Sequence, residues 1–298
     1  MKKLRCPLPI ADGRAIVQLS SGEYVCVDTH TLDSIPYLLG LELEPDVIRV
    51  FRTFLNRRSV VLDIGANVGL YTALLSTAVR RYGRLFAFEG NPQVFAALQY
   101  ALGANELFFK PNIVVSNLLV SDKCGRGTLY YTAEAPVGGT MTDIHLWGGV
   151  RRSVEVEMTT IDAFLPPDLP VDLVKIDVEG HEPFVIRGME RTIARSPNIR
   201  LVIEFVDHML HHTMKPPEFV EYIRGLGFGI CRILPKFQIQ PVAPGEEITG
   251  FNYLLLTRTP EADVAAVRWR RRHTPFLFKR WMSRHASWER YRRIWARF

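Results

Sequence analysis

The chain is poor in several things that would narrow its class at once. None of its 298 residues lies in an apolar run of about 18, the length a membrane-spanning helix needs. Its four cysteines, Cys6, Cys26, Cys124 and Cys231, are scattered with no C-x-x-C spacing, which argues against a zinc ribbon or a disulfide framework and for a reducing, cytoplasmic compartment. No tract is of low complexity. The first residues, Met1-Lys2-Lys3-Leu4-Arg5, are basic but have no apolar segment behind them, so no secretory signal is expected. Basic excess is missing from most of the chain as well. Between Thr259 and Phe298, eleven Arg and Lys face three acidic residues, a net of +8, which leaves the first 258 residues at −2 out of the overall +6.

What is present is the pattern of an ordinary globular chain, 47% hydrophobic and 23% charged, long enough for one or two domains. Residues 1–40 read as a strand-rich preface, with Ala15–Leu19 and Tyr24–Val27 flanking a turn. A helix is expected over Glu44–Leu55. Strand and helix then alternate: strand 60–64, helix 70–81, strand 85–88, a helix capped by Asn91-Pro92, and one strand from Ile113 to Val120. Thr128–Tyr131 and Val154–Met158 suggest an antiparallel excursion, with a loop at Gly138-Gly139-Thr140. The alternation resumes with strand 173–176, helix 182–194, strand 201–203, helix 216–225 and closing strands near 230–233 and 253–256. Repeated βα units imply a doubly wound, mostly parallel α/β sheet, here of seven strands and Rossmann-like, spanning residues 41–258. Ligands of such sheets bind beyond the carboxyl ends of the strands. Asp63, Glu89, Asp122, Asp177 and Glu204 are all expected there.

Val60-Val61-Leu62-Asp63-Ile64-Gly65-Ala66-Asn67-Val68-Gly69 is a buried strand running through a glycine turn into a helix, which gathers backbone N–H groups at one point. A dinucleotide fingerprint would need glycine where Asn67 and Leu70 stand, so a pyrophosphate is disfavoured. Gly65 and Gly69 suit a ligand with an amino-acid moiety instead. Asp63 would hold its ammonium directly or through water, with Asn67 in the turn. Glu89 would accept from both ribose hydroxyls, and Asp122 from an exocyclic adenine amine. S-adenosylmethionine satisfies all three.

Together with Phe88-Glu89-Gly90-Asn91-Pro92 and, above all, Val174-Lys175-Ile176-Asp177-Val178-Glu179-Gly180-His181-Glu182, these residues resemble the FkbM-like family of S-adenosylmethionine-dependent methyltransferases. The resemblance covers about residues 44–257. It implies O-methylation, commonly of sugar hydroxyls on glycolipids, polysaccharides or natural products. Neither the preface nor the tail is part of it.

Methyl transfer to an alcohol needs a base, a metal ion that acidifies the hydroxyl, or both. His181, four residues past Asp177, is the candidate base. Lys175 would neutralise neighbouring carboxylates, and Glu182 would cap a helix N-terminus. Asp177 and Glu204 would either offer oxygens to Mg²⁺ or bond the sugar directly. His208 and His212 have i, i+4 spacing without the glutamate of a zinc-protease motif, so a polar loop lining the substrate cleft is favoured. Trp147, near the glycine loop, could stack on a sugar.

The tail, 259–298, is expected to be helical. Trp281, Trp288 and Trp295 recur every seven residues among arginines, which suits an anionic membrane surface, the chain's own body or a partner. Nucleic acid is not expected. Two other readings stay open: an NAD-linked sugar-modifying oxidoreductase, and a catalytically silent docking module.

Overall fold

A computed structural model of the chain describes residues 6–41, 43–79, 82–108, 110–142 and 149–273. Three short strands open it: β1 (Leu8–Pro9), β2 (Arg14–Gln18) and β3 (Tyr24–Asp28), antiparallel in that order. A helical turn, α1 (Ile35–Leu38), and α2 (Pro45–Phe54) lead to the main sheet. Its parallel part begins with β4 (Val60–Ile64), β5 (Arg84–Phe88) and β6 (Ile113–Ser116), the last at the sheet's edge, crossed over by α3 (Leu70–Val79) and α4 (Pro92–Ala104). The chain then leaves this sheet for β7 (Leu119–Val120), β8 (Gly125–Thr132) and β9 (Arg151–Thr159), a separate three-stranded sheet. After α5 (Ile161–Phe164) it returns as β10 (Leu173–Ile176), α6 (Glu182–Arg187), α7 (Glu190–Arg195), β11 (Arg200–Val206), α8 (Asp207–Leu210) and α9 (Pro216–Gly225). Antiparallel β12 (Gly229–Leu234), β13 (Gln238–Pro241) and β14 (Phe251–Thr257) complete the sheet, in the order β13-β12-β14-β11-β10-β4-β5-β6, and α10 (Pro260–His273) follows.

The central strands are buried on both faces because helices cover both. Side chains alternate along β4: Leu62 and Ile64 pack with Val185, Ile193 and Phe219 from α6, α7 and α9, while Val61 packs with Val50, Leu74 and Val267 from α2, α3 and α10. Each such fully buried aliphatic contributes about 1.5–3 kcal/mol relative to exposure. The preface is fastened to this body. Val17, Val25 and Val27 pack on Val68, Val94 and Ala97, and the Asn105 amide that ends α4 both accepts from the Tyr24 N–H (2.9 Å) and donates to its carbonyl (2.6 Å).

The doubly wound α/β architecture is as expected, with three corrections. The sheet has eight strands rather than seven, because Lys236 and Phe237 turn left-handed (φ 63° and 56°) and fold β13 back on β12. The single strand expected from Ile113 to Val120 is two strands in different sheets. It breaks at Asn117, whose side-chain amide donates to the Glu89 and Gly90 carbonyls (2.7 and 3.1 Å) and ties the break to the turn after β5. The helix expected over 182–194 is interrupted at Gly188-Met189, where a Cβ on Gly188 would lie 1.9 Å from the Ser121 carbonyl oxygen.

Of the tail, α10 begins as part of the body. Val264 and Val267 are buried, and Asp263 receives a two-pronged Arg200 guanidinium at 2.7 Å on each oxygen. Trp269 is 60% exposed. Trp281, Trp288 and Trp295, like Trp147, lie outside the described residues.

Candidate active site

The glycine turn after β4 has a specific steric reason. Gly65 takes φ +74°, and a Cβ there would sit 1.8 Å from the carbonyl oxygen of Asp177, so β4 and β10 approach as only glycine permits. Gly69 (φ +93°) likewise meets Leu98 at 2.6 Å. Asn67, also left-handed at φ +54°, turns its N–H onto Glu89. The Glu89 carboxylate is held at both ends, by Asn67 N–H at 2.9 Å and Asn91 N–H at 2.7 Å, and each oxygen keeps a lone pair for a ligand. Burial raises its pKa to about 6 against the pull of those two N–H donors.

Gly65, Asn67 and Glu89 all line one cavity of about 1,100 Å³ with Phe88 and Leu118–Val120. That exceeds the roughly 300–1,000 Å³ of single-ligand clefts and leaves room for a donor and an acceptor together. Three members of the expected cofactor set do not reach its wall. Asp63 is wholly buried within β4 rather than at its end. It accepts from Thr72 Oγ1 (2.6 Å), stands 3.9 Å from Lys175 Nζ, and its Oδ1 has no hydrogen-bond partner among the described residues. Gly69 is behind the turn. Asp122 is exposed after β7, off the cavity wall and beside His181.

The opposite end of the cavity is acidic. Asp177 follows β10, Glu179 stands in the left-handed turn after it (φ +52°), and Glu204 lies inside β11, paired in register with Tyr253. Oxygens of these three carboxylates all lie within 4.8 Å of one another. Glu44, the residue before α2, joins them. It accepts from the Tyr71 hydroxyl, and Tyr253 donates to Glu204 at 3.3 Å. Lys175 is the cation at the cluster. Its Nζ donates to the Gly65 carbonyl (2.7 Å), sits 3.2 Å from Asp177, and lies 5.1 Å over the Tyr71 ring. Burial works against its charge, but Asp177, Asp63 and Glu44 outweigh it and drive its pKa up. Burial, reinforced by the other carboxylates, raises Glu179 to about 8 and pushes Glu204 far above the usual carboxylate range.

His181 is placed differently. Its Nε2 is 3.0 Å from Ser121 Oγ, its ring stacks on Phe184, and its charged neighbours are Asp122 and Lys123. Burial lowers its pKa to about 4, so it is neutral at physiological pH. It lines the cavity, but it belongs to the β7 side. Glu182 is 1% exposed and accepts from Val178 and Gly180 N–H (3.1 and 3.3 Å), which locks the turn that carries Glu179. His208 and His212 reach the cavity wall.

Sequence reasoning missed Glu44, Tyr71 and Tyr253, which come from three elements far apart in the chain. It also missed Asp33, Pro36 and Tyr37, through which the preface supplies a wall. Gly138 and Gly139, of the loop expected at Gly138-Gly139-Thr140, line the cavity. Thr140 Oγ1 donates to the Glu179 carbonyl (2.9 Å), and Val137 N–H to Asp33 (3.2 Å).

The residues fit an adenosyl donor on the β5 side: a diol-sized carboxylate, an apolar wall and a turn of backbone N–H groups. Comparison agrees. The model of the methyltransferase FkbM domain matches residues 63–230. Hexuronic acid methyltransferase AglP of Haloferax volcanii is 26% identical over 190 residues, 58% of this chain and 67% of that one. Methyltransferase sdnD of Sordaria araneosa is 26% identical over 206 residues, 58% of this chain and 74% of its own. A methyltransferase FkbM structure from Methylobacillus flagellatus superposes at TM-score 0.44 with 16% identity, over 67% of this chain and 44% of that one. The family model spans more than half of the chain and contains both the glycine turn and the acidic turn. The chain belongs to the FkbM methyltransferase family.

Proposed function

We propose that this chain transfers the methyl group of S-adenosylmethionine to a hydroxyl of a sugar, on a glycolipid, polysaccharide or natural product. One observation carries the reading: a single cavity runs from the Glu89 carboxylate to the Asp177–Glu179–Glu204 cluster. The names of the two relatives, one acting on a hexuronic acid, agree with it. When bound, S-adenosylmethionine supplies a sulfonium methyl open to in-line displacement. The residues of the chain do the rest. Glu89 and Asn67 fix the donor's ribose, and the acidic end orients the acceptor hydroxyl. The oxygen–carbon bond forms as the carbon–sulfur bond breaks, and the hydroxyl proton passes to a carboxylate. Glu179, with a pKa near 8 and no side-chain partner among the described residues, is better matched to that task at neutral pH than His181 at about 4. His181 then steadies the wall through Ser121.

A second reading is favoured by the spacing of the three carboxylates. Asp177, Glu179 and Glu204 would hold Mg²⁺, whose chemistry would be to acidify the bound hydroxyl. Turnover that survives a chelator excludes it. The NAD-linked alternative falls with the family assignment.

For the tail, the proposal is association with an anionic membrane surface through 264–298. No described helix is long and apolar enough to cross a membrane. Vesicles of anionic lipid should retain the full chain and release it after deletion of 274–298; equal retention of both forms contradicts this. The acceptor itself is found by mass spectrometry of glycolipids and polysaccharides from cells with and without the protein. A species heavier by one CH₂ is expected, and its absence alongside a methylated protein or nucleic acid would refute the sugar reading.

A further inference from the structure

Charge at the acceptor end restricts which sugars can enter. Six side chains that line the cavity are carboxylates, Asp33, Glu44, Glu89, Asp177, Glu179 and Glu204, and no described lining residue is Lys or Arg. Two of the six are already satisfied at the donor end and the rim. Glu89 has two backbone N–H donors, and Asp33 accepts from Thr31 Oγ1 (2.5 Å) and Val137 N–H. The other four share one lysine, which stands behind the wall and is committed to Gly65 and Asp177. Glu204, only 8% exposed and on the wall, has a long bond from Tyr253 on one oxygen and no hydrogen-bond partner for the other among the described residues. The Glu179 carboxylate has none.

From this arrangement we infer that the acceptor is an amino sugar whose ammonium is bound by Asp177, Glu179 and Glu204 while a neighbouring hydroxyl receives the methyl group. An ammonium offers three donors and no acceptor, the complement of carboxylate oxygens that one lysine and one long tyrosine bond leave largely unanswered. Oxygens arranged tetrahedrally about it at about 2.8 Å stand about 4.6 Å apart, and these oxygens all lie within 4.8 Å of one another. A hexuronic acid, the acceptor named for the Haloferax relative, would add a further carboxylate to a cluster whose members already hold one another's protons on, with no arginine or lysine on the wall to receive it, whereas an ammonium favours their ionised forms. The protonated amine has no lone pair to attack a methyl group, so it serves recognition and the hydroxyl oxygen remains the nucleophile. The inference rests on the sugar reading above.

The test uses the full chain saturated with S-adenosylhomocysteine, in EDTA, titrated calorimetrically with three matched alkyl glycosides: a hexosaminide, its N-acetyl counterpart and a hexuronide. The hexosaminide is expected to bind at least about tenfold more tightly than either of the others, the discrimination of one close charge pair. Glu204→Gln is expected to narrow that ratio, and Glu179→Gln serves where the first variant no longer holds S-adenosylhomocysteine. Equal affinities, or a preference for the hexuronide, overturn the charge inference and leave the sugar reading standing. Binding that appears only when Mg²⁺ replaces EDTA also overturns it, because a metal ion then answers the charge. Binding of S-adenosylhomocysteine with no binding of any glycoside overturns the sugar reading and the inference together.

Discussion

At the Glu89 end of the cavity, backbone provides the recognition: a glycine turn, the N–H groups of Asn67 and Asn91, and one carboxylate they hold in place. At the Glu204 end, side chains from five separate segments converge, and their charges are set by one another. The first end suits a ligand that never varies, and the second can change its acceptor by changing a few side chains. Gly65 joins them, because its missing Cβ is what lets the β4 turn lie on the Asp177 carbonyl.

The comparison breaks most severely at that joint. Gly65→Ala should destabilise the fold by at least about 2 kcal/mol, from left-handed strain and overpacking against backbone, and should weaken both ends; thermal unfolding measures it. Next in size, Glu179→Gln should lower kcat by about 10²–10⁴-fold, the usual contribution of a general base, with S-adenosylmethionine affinity unchanged. An equal loss of affinity would mean the two ends are not separable. Glu89→Gln should do the reverse and weaken S-adenosylmethionine binding by roughly 10–100-fold, the worth of a hydrogen bond to a charged group. The sign of its pH dependence follows from the raised pKa. Above about 6 the carboxylate is charged and accepts from both ribose hydroxyls, and below it a proton occupies one acceptor position. Wild-type affinity should therefore fall as pH drops through about 6, and the glutamine variant should show no such fall in calorimetry. Smallest of all, His181→Ala should cost less than about tenfold in kcat, since a histidine near pKa 4 is a weak base.

The same contrast explains what could be read from the sequence. Val61–Gly69 and Glu89 are local: a strand, a turn and a carboxylate one βα unit later, so periodicity and glycine spacing sufficed. Asp177 and Glu204 line the cavity because parallel strands deliver their carboxyl ends to one edge. Asp63 and Asp122 obeyed the same rule and missed the wall. One is sealed inside the sheet under Lys175, and the other is carried off by the break at Asn117. Glu44 reads as a plain helix start, and only its left-handed φ of 46° and the Tyr71 hydroxyl, both tertiary facts, turn it inward. No pattern in residues 1–40 signals that Asp33 and Tyr37 form a wall of the cavity, because that depends on how the preface docks on α4.

The division of the cavity is tested most directly by a crystal structure of the chain with S-adenosylhomocysteine. The account predicts both ribose hydroxyls within hydrogen-bond distance of the Glu89 carboxylate and the sulfur turned toward Asp177, Glu179 and Glu204. Adenosine lodged among those three carboxylates, or a ribose that makes no contact with Glu89, would contradict it.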